Sequence, residues 1–276
     1  MRSGQRGVAI VLAMGVVALA AIAAVAMLAS QSTWSRHAEL GAEHVQAQAL
    51  ARAGVDWARA VLAEDRRVSS ADHLGEPWAL RLPPVPVDRG ELAGQIDDQQ
   101  GLFNLNNLFR SGQVSPAHVL QLRRLLEILG LPEALADAFV AGGKPLLDSA
   151  ELALLPGYDT AVRARLHPFV SALPRYAGLN VNTAPPEVLA AVVKGLELDD
   201  ARALTAQRDR AYFRNLSEFL VQLPPGAVVD GNDITTASQF FLASVRVTIG
   251  DAQARGSALL SREAPGWPAV VWRKFP

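Results

Sequence analysis

The chain has 276 residues, half of them hydrophobic, a formal net charge of −1 at pH 7 and no cysteine. The absence of thiols excludes disulfides, thiolate metal sites and cysteine nucleophiles together. The near-neutral balance gives no electrostatic reason to expect nucleic acid, and less still once Arg2 and Arg6 are lost, which leaves −3.

A basic head, Met1-Arg-Ser-Gly-Gln-Arg-Gly7, runs directly into Val8–Leu28, which holds no charge. At 1.5 Å per residue a helix of about 21 residues spans roughly 30 Å, the thickness of a bilayer's hydrocarbon core. Arg2 and Arg6 on its N-terminal side keep the head in the cytoplasm and send the rest across. The triplet Ala24-Val25-Ala26 also suits a removable secretory signal, so a retained anchor and a discarded one both remain open on this segment. The continuation favours retention. Gln31–Leu62 has no proline, and Trp34, Ala38, Val45, Ala49, Val55, Ala58 and Val61 fall near helical spacing.

The helical pattern stops at Asp65-Arg-Arg67, and Pro77, Pro83, Pro84 and Pro86 mark an extended, turn-rich segment. Glu91–Ile96 reads as a short strand. The pair Asp97-Asp98 that follows offers oxygen to a hard cation, but an acidic pair before a glycine turn reads better as a solvated loop. Asn104 and Asn106 suit turn positions, where their amides satisfy backbone groups.

From Ser115 to about Phe219 the pattern is helical and repeats. One unit opens at Ser115-Pro-Ala-His-Val-Leu120, passes Gly130 and closes at Asp148-Ser-Ala-Glu-Leu-Ala-Leu-Leu-Pro-Gly157. The next opens at Thr183-Ala-Pro-Pro-Glu-Val-Leu189, passes Gly195 and closes at Asn215-Leu-Ser-Glu-Phe-Leu-Val-Gln-Leu-Pro-Pro-Gly226. Asp148 with Glu151, and Asn215 with Glu218, have capping-box spacing. The tail alternates: Gln239–Ile249, Ala252–Ser261 and Ala269–Trp272 read as strands, joined by turns at Gly250-Asp251 and Ala264-Pro-Gly266.

Chemistry motifs are few. His37, His44, His73, His118 and His167 are scattered, Ser149, Ser171 and Ser217 lack a nucleophile context, and no P-loop or G-x-S-x-G occurs. Leu179-Asn-Val-Asn-Thr-Ala184 resembles the entry to helix-hairpin-helix modules of DNA-binding competence proteins. The hairpin position, Lys194-Gly-Leu-Glu-Leu-Asp-Asp-Ala201, carries three acids, which oppose phosphate.

The combined pattern resembles the minor pseudopilin K family of type II secretion systems. Four parts carry it: the leader ending in Gly7 before Val8-Ala-Ile-Val-Leu, the Asp97…Gly-Leu-Phe-Asn-Leu-Asn106 segment, the Leu179-Asn-Val-Asn-Thr-Ala-Pro185 segment, and the β-rich tail. The resemblance implies that prepilin peptidase cuts between Gly7 and Val8, that the new Val8 amino group is methylated, and that the partners are the other minor pseudopilins, the major pseudopilin and the inner membrane, with no nucleic acid. At the fifth mature position, where most pilin-like proteins carry Glu, this chain has Leu12, an assembly residue that agrees with a place at the filament tip. Family members often hold calcium in an acidic loop. The matching stretch, Ala138–Glu151, has lost most of those carboxylates, so no cofactor and no metal is expected, and no catalytic residue.

The fold class expected is α+β: a long transmembrane and amphipathic helix packed on a small antiparallel, pilin-like sheet, with a large helical insertion of two helix-hairpin-helix-like units. The expected division is a leader at 1–7, a transmembrane helix at 8–28, its periplasmic continuation at 29–65, a head at 66–109 and 236–276, and the insertion at 110–235, split into about 110–175 and 176–235. The expected function is a pseudopilus-tip subunit for protein export. A signal-anchored extracytoplasmic binding protein and a helix-hairpin-helix DNA-uptake protein are the alternatives.

Overall fold

The computed structural model describes residues 4–110 and 112–276; Met1–Ser3, with Arg2 of the leader, and the side chains of residues 4–10, 29, 32, 33 and 35 lie outside the described set. Helix α1 (Gly4–Val68) runs unbroken for 65 residues, roughly 100 Å at the usual rise. The turn-rich segment after it holds more order than proline suggests, because Leu82–Val87 forms strand β1. Pro83 and Pro84 fall in the register shift between Leu82 and Val85, and β1 is an edge strand, the two places where a sheet tolerates proline.

Strands β1, β2 (Gly90–Asp98), β3 (Phe240–Ile249), β4 (Ala252–Ser261) and β5 (Ala269–Lys274) form one antiparallel sheet in chain order. The β3–β4 turn is Gly250-Asp251, with Gly250 at φ +53°. A side chain at Gly250 would also strike the Glu43 carboxylate of α1.

One face of the sheet holds α1. Ala47, Ala51, Val55, Ala58 and Leu62 meet Phe241, Ala243, Val245, Val247 and Ile249. This seam corrects the stripe read from spacing: Trp34, Ala38, Val45 and Ala49 are exposed, and of the positions named only Val55 and Ala58 are buried. In an alanine-rich helix several stripes share the 3.6 period, and the one with the smallest side chains comes nearest a sheet. Gly54 shows how near, since a Cβ there would lie 2.8 Å from a Val245 methyl.

The insertion leaves the sheet after Asp98 and rejoins it at Phe240, a wider span than 110–235. Its ends meet because β2 and β3 are paired neighbours, with Asp98 opposite Phe241. Helices α2 (Pro116–Ile128), α3 (Ala134–Ala141) and α4 (Thr160–Leu166) precede α5 (Pro186–Val192), α6 (Leu198–Arg208) and α7 (Leu216–Val221), all around a common apolar core. Phe103-Asn104 pairs in parallel with Val170-Ser171, and Leu179-Asn180 with Ile234-Thr235, so each half is closed by the same short bridge. Leu173 and Ala177 seat the insertion on the other sheet face, against Phe240, Leu259 and Trp272.

Candidate assembly site

Along α1 the surroundings change abruptly. Nothing in Val11–Leu28 is buried against the rest of the chain, whereas Ala47–Leu62 forms the seam on the sheet. A bare apolar span of this length needs another apolar medium or partner helices to cover it. Leu12 lies in that span, 63 % exposed. Gly7 and Val8 fall within the bounds of α1, and their side chains lie outside the described residues. Further along, Trp57 on α1 and Leu80 after it are exposed apolar groups on the head.

Where α1 ends, the helix, the sheet and the insertion meet at a buried polar junction. Arg262, just past β4, bonds Asp65 through Nη1 at 2.7 Å and both Asp72 oxygens through Nη2 at 2.5 and 2.7 Å. It also donates to the Ser238 carbonyl and lies over the Phe241 ring. Glu76 accepts the His73 N–H and the Trp78 indole N–H. The Asp65, Asp72 and Glu76 carboxylates converge closely enough to suit a cation, but protein N–H groups already take four of their six oxygens, with Arg262 supplying the positive charge.

Asp98 extends the junction. It is not the solvated residue expected of the Asp97-Asp98 pair but a buried one at the end of β2. Its Oδ2 accepts from Asn180 Nδ2, Thr183 Oγ1 and Ser238 Oγ at 2.9, 2.6 and 2.6 Å, and its Oδ1 from the Gln100 N–H at 2.8 Å. The strand's inward position buries it, and donors from the insertion make the burial tolerable.

The two Asn-x-Asn segments do the same work in each half of the insertion. Asn104 Oδ1 accepts the Asn106 N–H, and Asn180 Oδ1 the Asn182 N–H. Asn106 then clamps the Leu146 backbone, accepting its N–H and donating to its carbonyl, both at 2.8 Å. Asn182 clamps Phe213 likewise, at 2.8 and 2.9 Å. These side chains do satisfy backbone groups, but across the fold as well as within a turn. Asn104 also reaches the Leu173 N–H and the Arg175 carbonyl.

The other residues singled out have local tasks. Asp148 caps the 3₁₀ turn Ser149–Leu154 and bonds Lys274, while Glu151 accepts the Leu147 N–H. Asn215 caps α7, and Glu218 accepts the Arg214 N–H. At Lys194-Gly195 the backbone is engaged, since Lys194 and Val228 exchange both N–H···O bonds. His118 sits between Ser115 and Asp233, and His73 stacks on Tyr212.

Residues 179–239, which include the second Asn-x-Asn segment, match the family model described as type II secretion system protein K. The type II secretion system protein K of Pseudomonas aeruginosa is 34 % identical to this chain, over 99 % of the chain and 93 % of that protein. The chain belongs to the type II secretion system protein K family. The Klebsiella pneumoniae protein K is 28 % identical, over 100 % of the chain and 98 % of its own length. The fold also matches a chain of the crystal structure of the GspK-GspI-GspJ complex from enterotoxigenic Escherichia coli. The TM-score is 0.76 at 24 % identity, covering 87 % of this chain and 99 % of that one. The family assignment makes the protein a minor pseudopilin of type II secretion.

In this protein K family member, the sequence reading missed the junction residues Asp65, Asp72, Glu76, Ser238 and Arg262. Asp65 and Arg262 stand 197 positions apart, so no local pattern announces them. The junction makes stability depend on pH. Burial pushes Asp98 and Asp65 up to about 6 and raises Asp72, against the pull of their hydrogen bonds and, for Asp65 and Asp72, of Arg262. The folded state therefore holds extra protons between about pH 4 and 6, and that stabilisation fades as pH rises through 6. Asp233 behaves oppositely: burial raises it, but the adjacent His118 ring and hydrogen bonds from Tyr176 and Gln121 bring it down to about 2. Its contribution is lost as pH falls below the ordinary carboxylate range. Thermal unfolding at constant ionic strength should show the highest midpoint near pH 4–5 and a lower one at pH 7. A midpoint climbing steadily to pH 7 contradicts this.

Proposed function

We propose that this chain caps the pseudopilus tip from the inner membrane. Prepilin peptidase cuts between Gly7 and Val8 and methylates Val8, residues 8–28 span the bilayer, and the head lies in the periplasm. The observation that carries the reading is a single helix left bare over Val11–Leu28 and packed on its sheet over Ala47–Leu62. The bare half packs among neighbouring pseudopilin helices; Gly15, Ala18, Ala21 and Ala24 let those backbones approach closely. The solved relative is part of a GspK-GspI-GspJ complex, which supports minor pseudopilins as partners here, and the major pseudopilin extends the filament below. The role is assembly, with no catalysis.

The two halves of the insertion are helix-hairpin-helix-like units without nucleic acid. Their backbone at Lys194 is taken by Val228, and Glu197, Asp199 and Asp200 follow. Nor does the insertion's acidic loop fit calcium. Asp148 and Glu151 are engaged by protein donors, and two carboxylates fall short of the six or more oxygens such an ion takes.

Leu12 tests the tip position. A carboxylate in hydrocarbon is stable when a neighbouring ammonium pairs with it, and a capping subunit has no subunit ahead to supply one. Leu12→Glu should leave the chain processed and present in membranes at normal amounts while export falls at least several-fold, with Leu12→Ala near normal. Full export by Leu12→Glu would place the subunit within the shaft instead.

A further inference from the structure

The sheet face turned away from α1 carries a row of residues in register: Ala93 on β2, Arg246 on β3 and Arg255 on β4. Arg246 and Arg255 are direct cross-strand partners, both exposed, so their Cβ atoms stand roughly 5 Å apart. Like charges directly opposite on a sheet destabilise it. Among the described residues neither guanidinium has an ion-pair partner. The next row, Gln95, Ser244 and Ser257, is short and uncharged. Together the rows floor a trough of about 510 Å³, with Arg81 at its side and Leu82 and Pro276 among its walls.

The fold gains nothing visible from this placement. Other arginines beside the sheet are engaged: Arg59 bonds Asp56, Arg66 the Arg262 carbonyl, and Arg262 the junction acids. The chain is near neutral overall, and the trough gathers Arg246, Arg255 and Arg81 in one place. Guanidinium groups present paired N–H donors that match carboxylates two at a time. Leu82 and Ala93 bring apolar surface beside them, which suits an acidic side chain carried on a peptide better than a free hydrated anion.

We infer that the Arg246/Arg255 trough is a docking surface for an acidic segment of a neighbouring protein, whose carboxylates sit between the two guanidinium groups. The surface lies on the sheet face opposite α1, so it stays available when α1 packs among other helices. Asp97 and Glu91 share this face; Asp97 accepts from Gln95 and feels Arg81, and among the described residues Glu91 forms no ion pair, so Arg246 and Arg255 stay open to the ligand.

The probe is fluorescein-labelled hexaglutamate, titrated against the full chain in detergent with anisotropy as readout. Binding should weaken as salt rises, and Arg246→Ser/Arg255→Ser should raise Kd at least tenfold. Arg246→Lys/Arg255→Lys should fall between, keeping charge but losing the paired donors. Arg210→Ser/Arg214→Ser on the insertion should change Kd less than twofold. Removing the like-charge pair should also hold or raise the thermal midpoint, which separates lost docking from lost folding. Unchanged affinity in the serine variant, or no binding by the parent chain, overturns the proposal. So does tighter binding, through the same arginines, to vesicles of anionic phospholipid than to the peptide, which would make the surface a lipid site.

Discussion

Arg262→Met should lower the unfolding free energy by about 3–5 kcal/mol, the usual result of removing one partner from a buried ion pair. Asp65 and Asp72 are left with no cation in contact, and Glu76 and Asp98 are buried nearby. Typical domains are stable by about 5–15 kcal/mol, so this loss is a large share of the whole. Urea unfolding followed by circular dichroism measures it. The triple variant Asp65→Asn/Asp72→Asn/Arg262→Met should regain part of the loss, because the desolvated charges go with the arginine. A single-variant loss below about 1 kcal/mol contradicts the junction as described, since that is the level expected of an exposed pair.

Asn182→Leu should cost about 2–6 kcal/mol, because it leaves a buried N–H and a buried carbonyl without partners at about 1–3 kcal/mol per group, and Asn106→Leu should cost more, because it strands a second carbonyl. The orphaned groups belong to Leu146 and Leu173 in the Asn106 variant and to Phe213 in the other. Hydrogen exchange distinguishes the clamps: Asn106→Leu should speed exchange at Leu146, and Asn182→Leu at Phe213. Unchanged exchange at both sites would mean the clamps do not hold the halves closed.

These variants also mark where the sequence was legible. The Asn-x-Asn segments stood out by their resemblance, and the capping pairs by their spacing, because both depend on residues near in the chain. What each asparagine holds did not stand out, since Leu146 and Phe213 lie 40 and 31 positions away. The tail strands and the Gly250-Asp251 turn were readable from alternation. Strand β1 was obscured by prolines that only an edge position or a register shift tolerates. Helix α1 was readable as a helix, but its buried stripe was not, because alanines occur on every face and contact with Val245 selects among them. Asp98 was misread for a related reason: an acidic side chain is assigned to solvent until its donors are known, and three of them come from Asn180, Thr183 and Ser238. The assembly residues stand apart from all of this. Gly7, Val8 and Leu12 come from the leader pattern, and what they do depends on a peptidase and on neighbouring subunits.

The central claim is that the apolar start of α1 is a retained anchor, trimmed by a pilin-type peptidase. N-terminal sequencing and intact mass of the chain purified from membranes of a producing bacterium test it directly. The account predicts a chain beginning at Val8 and heavier by one CH2, the net gain when a methyl replaces an amine hydrogen. A chain beginning at Met27 would show a discarded secretory signal, and an intact Met1 would show a plain anchor; either result contradicts it.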